Sequence, residues 1–283
     1  MFTPASLARR IERAEAALID DGAASTASGP ERRDVFVRHV CGGIAVHARP
    51  GSPLNKVAGL GFDGVPDEGA LDEIEEEFGK RGSPVQVELP TLSDPGIGRL
   101  LTRRGYELLG FENVLGRPLD SSLDTVAKRS VDPALSIAVC VDRERGEWID
   151  TVLTGFLNPD TFDGPASHER FDPDVVRAVY DDMARCTGYE RYLARIDGKA
   201  AGGASLRLFE GVAHLCGAAT LPPFRRRGIQ SMLLRHRLVD AWRRACDVAV
   251  VVTQPGSKSQ QNVQNAGFQL LYARAILVKN PGS

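Results

Sequence analysis

Three consecutive arginines and a glycine, Arg225-Arg226-Arg227-Gly228, are the residues of this 283-residue chain best placed to do chemistry. An apolar run, Leu215 to Leu221, leads into them, and an amphipathic segment from Ile229 to about Cys246 leads away. The order is strand, basic turn, helix start. The first N–H groups of a helix lack intrahelical partners, and the macrodipole puts partial positive charge on them. Such an end is a ready site for phosphate. Arginine adds planar, bidentate recognition, and Gly228 lets backbone approach a ligand closely. The spacing Arg-x-x-Gly-x-Gln lacks the Gly-Lys-Ser/Thr of a Walker loop and is not the dinucleotide Gly-x-Gly-x-x-Gly. A basic helix start facing solvent would read the same in isolation, but the sequence that follows weighs against it.

That sequence is Asp247 to Thr253, a β-branched strand of the kind buried in parallel sheets, then the turn Pro255-Gly256-Ser257, a short polar helix Ser259 to Asn265, Gly267 as its C′ residue, and a last strand, Phe268 to Val278. Taken together, Arg225-x-x-Gly228-x-Gln230, then Ser259-Gln260-Gln261-Asn262 and Gly267-Phe268, resemble the GNAT superfamily of N-acetyltransferases. Its pyrophosphate loop reads Arg/Gln-x-x-Gly-x-Gly/Ala, and Gln230 departs from its last position. The resemblance, spanning about Leu135 to Val278, implies acetyl-CoA as cofactor. The loop and first helical turn, Arg225, Arg226, Arg227, Gly228, Ile229, Gln230 and Ser231, would hold the pyrophosphate. The edge of a splayed strand, Ala219, Thr220 and Leu221, would pair with pantetheine, and Asn262 would lie beside the cofactor.

The elements that must position these residues read as follows. Glu147–Leu157 and Pro173–Arg185 are helices. Tyr192–Ile196, Ala204–Phe209 and Val212–Leu221 are strands joined by turns at Asp197-Gly198 and Glu210-Gly211, both hairpin signals. The expected fold class is mixed α/β: two GNAT-like domains, each a mixed, mostly antiparallel sheet flanked by helices, with a splayed central strand pair.

The second domain is expected because the chain repeats itself. Gly42-Gly43 before Ile44–Ala48 mirrors Gly202-Gly203 before Ala204–Leu208, and Gly105-Tyr106 mirrors Gly267-Phe268. Domains are expected at 1–120 and 130–283, joined through the polar stretch 120–132, with Gly22–Pro30 a small-residue linker after a helix Ala5–Ile19. On this pairing Gly69 takes the place of Gly228. Its neighbours are Asp63, Asp67, Glu68, Asp72 and Glu73, with no arginine or lysine. Carboxylates there satisfy the helix dipole internally and repel pyrophosphate, so the first copy is expected to be a degenerate, non-binding one.

Chance similarity is the competing account of the repeat.

Acyl transfer from a thioester to an amine needs a base for the ammonium and an acid for the departing thiolate. The resemblance puts a tyrosine about four residues before Gly-Phe; Val263 stands there, so Tyr272 is the expected replacement acid. The Val212–Leu221 strand holds no carboxylate, which leaves His214 as candidate base, with Cys216 on its face. A packed tyrosine and a satisfied core histidine are the alternatives at Tyr272 and His214. The segment Phe156 to Phe171, with Asp160, Asp163, His168 and Glu169, would line an acceptor pocket for a cation, or be a solvated loop. Ser52–Lys56, Glu112 and Asn113 of the first copy are further pocket candidates.

Composition excludes other classes. Net charge is −2 at pH 7, with 42% hydrophobic and 25% charged residues, a globular balance. No basic face for nucleic acid and no apolar run of spanning length occurs. The five widely spaced cysteines form no zinc or disulfide framework, so a reduced, cytoplasmic protein without metal is expected. The leading expectation is an acetyl-CoA-dependent N-acetyltransferase acting on a primary amine of a small molecule or peptide, as monomer or homodimer. The alternatives are a coenzyme A or acyl-CoA sensor with little catalysis, and an unrelated phosphate-binding α/β protein.

Overall fold

The computed structural model describes residues 2–29, 34–123, 134–159 and 171–282. The first half of the chain contains α1 (Ala5–Ser28), β1 (Phe36–Val40), β2 (Gly43–His47), β3 (Lys56–Ala58), α2 (Glu68–Lys80), β4 (Val85–Pro90), α3 (Pro95–Arg103) and β5 (Glu107–Pro118). The second contains β6 (Leu135–Val139), α4 (Arg145–Leu157), α5 (Pro173–Met183), β7 (Tyr189–Ile196), β8 (Lys199–Phe209), β9 (Val212–His214), β10 (Ala218–Thr220), α6 (Ile229–Arg243), β11 (Val248–Thr253), α7 (Lys258–Asn265) and β12 (Gln269–Lys279).

The strands form one mixed, twelve-stranded sheet in the order β1-β2-β3-β4-β12-β5-β11-β9-β8-β7-β6, with β10 on β8. Pairing is antiparallel except between β3 and β4 and between β9 and β11. The halves trade their last strands. β12 lies between β4 and β5, and β5 lies between β12 and β11. Each traded strand fills the other half's core: Leu115 of β5 packs with Leu206, Leu234 and Phe268, and Leu277 of β12 packs with Val87 and Leu101. An edge strand left unpaired would expose a row of backbone donors and acceptors; the exchange pairs both at the centre.

Local chemistry explains the hairpins. Asp197 and Gly198, and Glu210 and Gly211, all have positive φ, the requirement of a type I′ turn. Cys41 and Gly42 make the same turn between β1 and β2. The turn at Cys41-Gly42 therefore corresponds to Asp197-Gly198. Gly43 opens β2 whereas Gly203 lies inside β8, so these two glycines do not occupy matching places, contrary to expectation. Gly105 and Gly267 do match, each left-handed at the end of a helix before a traded strand.

Two further expectations are corrected. The small-residue segment Gly22–Pro30 is helical as far as Ser28, not a linker. Ala23 is buried, and the Ser25 and Thr26 hydroxyls donate to Asp182 on α5 at 2.7 and 2.8 Å. Small residues here permit close helix packing instead of conferring flexibility. The expected strand Val212–Leu221 is broken into β9 and β10 by a bulge over 215–217. No described helix is long and apolar enough to cross a membrane.

Candidate functional site

Two neighbouring strands part company at the bulge. β9 and β11 run parallel from Val212↔Val248 to His214↔Val250, and the last link is Leu215 N–H to the Val250 carbonyl at 2.8 Å. Beyond it, β10 pairs with β8 alone, and its other edge has no strand partner among the described residues. The bulge is held from the β8 side. Ser205 donates its N–H to the carbonyls of Cys216 and Gly217 at 3.3 and 3.0 Å, and its hydroxyl to Cys216 at 3.0 Å. Tyr189 donates to the Ser205 hydroxyl at 2.8 Å. On the far side α4 comes so close that a Cβ on Gly155 would lie 2.4 Å from Ala219 Cβ.

The parting opens a groove of about 840 Å³. Leu215–Ala218 form one wall and Val251 and Val252 the other; Gln230, Ser231 and Leu234 of α6 and Ser259, Asn262 and Val263 of α7 close it. At the start of α6, Gly228 is the N-cap, left-handed at φ 76°, and no side chain caps the helix. A Cβ on Gly228 would meet no protein atom within 4 Å. The preceding Arg226 is also left-handed (φ 62°), which folds the arginine turn back over the helix end. Arg225 donates to the Asn158 carbonyl, and Arg226 and Arg227 are exposed. The Ile229 side chain is core, leaving its backbone to the site. In the first half the matching helix is closed: Asp67, not Gly69, is the N-cap of α2, and its carboxylate accepts from Ala70 N–H at 2.7 Å.

These residues suit a coenzyme A thioester. An uncapped helix start with open backbone accepts phosphate, and an unpaired strand edge accepts an amide-bearing arm by strand addition. Thr220 Oγ1 on β10 is buried without a partner, a polar atom left for such a ligand.

Neither expected catalytic side chain reaches this groove. Tyr272 is buried, and its hydroxyl donates to Glu12 of α1 at 2.7 Å; burial and Glu12 push it far above its ordinary pKa. Tyr272 is therefore corrected from thiolate acid to member of a buried polar cluster. His214 is corrected likewise: its Nε2 lies 3.4 Å from Glu15 of α1, and burial lowers its pKa. At the cluster's centre Arg274 meets Glu12 (2.9 Å), Glu88 (3.2 Å) and Glu15 (3.5 Å), while Lys56 pairs with Glu88. Sequence periodicity on single strands could not foresee this, because α1 supplies two of the acids from over 190 residues away. Cys216 does line the groove, but burial, with Glu15 nearby, pushes its thiol up to about 12, so it stays protonated. Asn113 of β5 donates to Gln260 of α7 at 3.3 Å, and Glu112 lies 4.0 Å from Arg274. Asp160, Asp163, His168 and Glu169 lie outside the described residues.

Arg237 was not foreseen either. It lines the groove from α6, 3% exposed. A signal existed: it sits on the apolar stripe of α6 with Leu233, Leu234, Leu238 and Ala241, where a charge is out of place.

Residues 157–268 match the family model described as the acetyltransferase (GNAT) family. The second half of the chain thus carries an acetyltransferase domain of that family. Over its whole length the fold is similar to that of a GCN5-related N-acetyltransferase from Kribbella flavida (16% identity, 96% of each chain, TM-score 0.64). It is similar, too, to a tandem GNAT protein from the clavulanic acid biosynthesis pathway (15%, 96% of each chain, 0.59) and to a GCN5-related N-acetyltransferase from Sphaerobacter thermophilus (15%, 99% of this chain and 95% of that one, 0.55). No curated protein matches the chain in sequence.

Proposed function

We propose that the protein is an acyl-CoA-dependent N-acyltransferase, acetyl-CoA being the simplest donor, that acts on a primary amine of a small molecule or peptide. One observation carries the reading: an uncapped helix start with an open left-handed glycine stands at a groove bordered by an unpaired strand edge. The cofactor would supply the activated thioester carbonyl. The Ile229, Gln230 and Ser231 N–H groups would bind pyrophosphate, aided by Arg225–Arg227, and Ala219–Leu221 with Thr220 and Asn262 would hold the pantetheine arm. The protein would act chiefly by orientation, since holding two reactants in line accounts for much of such a barrier. The division into units at 1–120 and 130–283, with the cofactor in the second only, belongs to this reading: the Asp67 cap and Glu68 leave the first helix start satisfied and negative.

A sensor that binds the cofactor with little turnover is the second reading, favoured by the burial of Tyr272 and His214 away from the groove. Calorimetry with coenzyme A, followed by thiol release from acetyl-CoA across a panel of amines, tests both. Binding with turnover supports the enzyme, binding without turnover the sensor, and no binding refutes the two together.

A further inference from the structure

Arg237 is a cation buried in the groove wall with no acid paired to it among the described residues. Its Nε donates to Leu233 O at 3.3 Å, one turn back in α6, and its Nη1 donates to Ser205 O at 2.9 Å and Cys216 O at 3.3 Å. All three acceptors are neutral carbonyls. Among the described residues no carboxylate pairs with it, and Nη2 makes no hydrogen bond. A buried guanidinium is costly unless a negative group compensates it. The other buried arginines among the described residues have that compensation: Arg274 has three glutamates, Arg207 has Asp21 and Arg191 has Asp142. Arg237 is the exception, and it stands where β10 parts from β11.

Its place along the groove matters. It lies more than two helical turns beyond Gly228, so it is remote from the phosphate end of α6. It grips Cys216 in the bulge, at the inner end of the splay, toward which a pantetheine arm held along Ala219–Leu221 would point its thioester. Leu215, Gly217, Leu234 and Leu238 supply apolar or neutral wall, and the charged residues Arg117, Asp120 and Arg235 also line the groove, none of them hydrogen-bonded to Arg237. A plain acetyl group would leave the charge uncompensated.

We infer that Arg237 selects an acyl donor whose acyl group ends in a carboxylate, a short dicarboxylic acyl-CoA, by pairing Nη2 with that carboxylate. The inference rests on the coenzyme A reading and narrows its donor. Burial lowers the Arg237 pKa to about 10, which still leaves the group charged at neutral pH. A charge-assisted hydrogen bond in a dry wall is among the stronger contacts a protein makes.

The test compares donors of matched length. Malonyl-CoA and succinyl-CoA are titrated by calorimetry into the full chain beside propionyl-CoA and butyryl-CoA, which carry no acyl charge. The expected result is tenfold or tighter binding of at least one dicarboxylic thioester over its neutral counterpart, with the ratio falling toward one in Arg237→Met. Arg237→Lys should keep part of the preference. If Arg237→Met does not fold, the wild-type ratios decide alone. Equal affinity of charged and neutral donors, or preference for the neutral ones, overturns the inference while leaving the coenzyme A reading intact. Failure of every thioester to bind overturns both.

Discussion

Replacing Arg274 by methionine should damage this protein more than any change in the arginine turn. The side chain is 1% exposed and contacts Glu12, Glu88 and Glu15 at 2.9, 3.2 and 3.5 Å. These come from α1 and β4, while Arg274 itself belongs to the traded strand β12. Methionine fills much of the volume but leaves three buried carboxylates sharing Lys56, His214 and the Tyr272 hydroxyl. Removing one partner of a buried ionic group costs about 3–5 kcal/mol. The pH dependence gives a sharper signature. In the parent, Glu15 is held down at about 2, because His214 and Arg274 outweigh the effect of burial. A depressed carboxylate contributes stability above its unfolded pKa and loses it as pH falls toward 2. Burial already raises Glu12 in the parent. Without Arg274, Glu15 loses one of the cations that hold it down and Glu12 loses its main opposing charge, so both should rise. A raised carboxylate binds protons more tightly in the folded state, so stability is lost as pH rises through the gap. Urea unfolding of parent and variant should therefore show a larger deficit at pH 7.5 than at pH 5. A deficit under about 1 kcal/mol, or one that grows on acidification, would refute the claim that this cluster depends on its central cation.

Four other outcomes are expected. Arg225→Ala with Arg227→Ala should weaken coenzyme A binding by a few kcal/mol, at about 1.5–3 kcal/mol per charge-assisted bond, and unchanged calorimetric affinity would remove the turn from the site. Gly228→Leu should abolish binding because its side chain enters open space at the helix start; since φ there is 76°, it should also destabilise by about 1–2 kcal/mol, read from urea midpoints. Tyr272→Phe should cost about 1 kcal/mol of stability, as Glu12 loses a donor, yet leave turnover unchanged; a large fall in turnover at unaltered acetyl-CoA affinity would restore it to the chemistry. His214, its pKa lowered by burial, should remain neutral at pH 6.5 in the folded protein, and stability dependent on it should fade as pH drops below 6.5 while the unfolded chain protonates. An imidazole resonance of His214 that titrates at 6.5 would contradict this.

Much of this protein is local and was readable from its residues. Periodicity found the α6 helix, the hairpins needed only Asp197-Gly198 and Glu210-Gly211, and the arginine turn announced a helix start able to take an anion. These follow from neighbours in sequence, because a turn, a cap or an amphipathic stripe is set within a few residues. The acidic slot was legible too, though one-dimensional spacing put Gly69 where Asp67 stands: loop lengths between matching turns differ, and only the folded backbone shows which residue caps α2. The exchange of β5 and β12 was not legible, since a strand's pattern of burial says nothing about which partner covers its edges. The same limit applies to the catalytic candidates. Period two could place His214 and Tyr272 on strand faces, but not reveal that α1 lays Glu12 and Glu15 against them. Arg237 shows the boundary most plainly: the sequence put a charge on an apolar stripe, and only tertiary structure showed that it grips a bulge at the inner end of a splayed strand pair with no acid among the described residues paired to it.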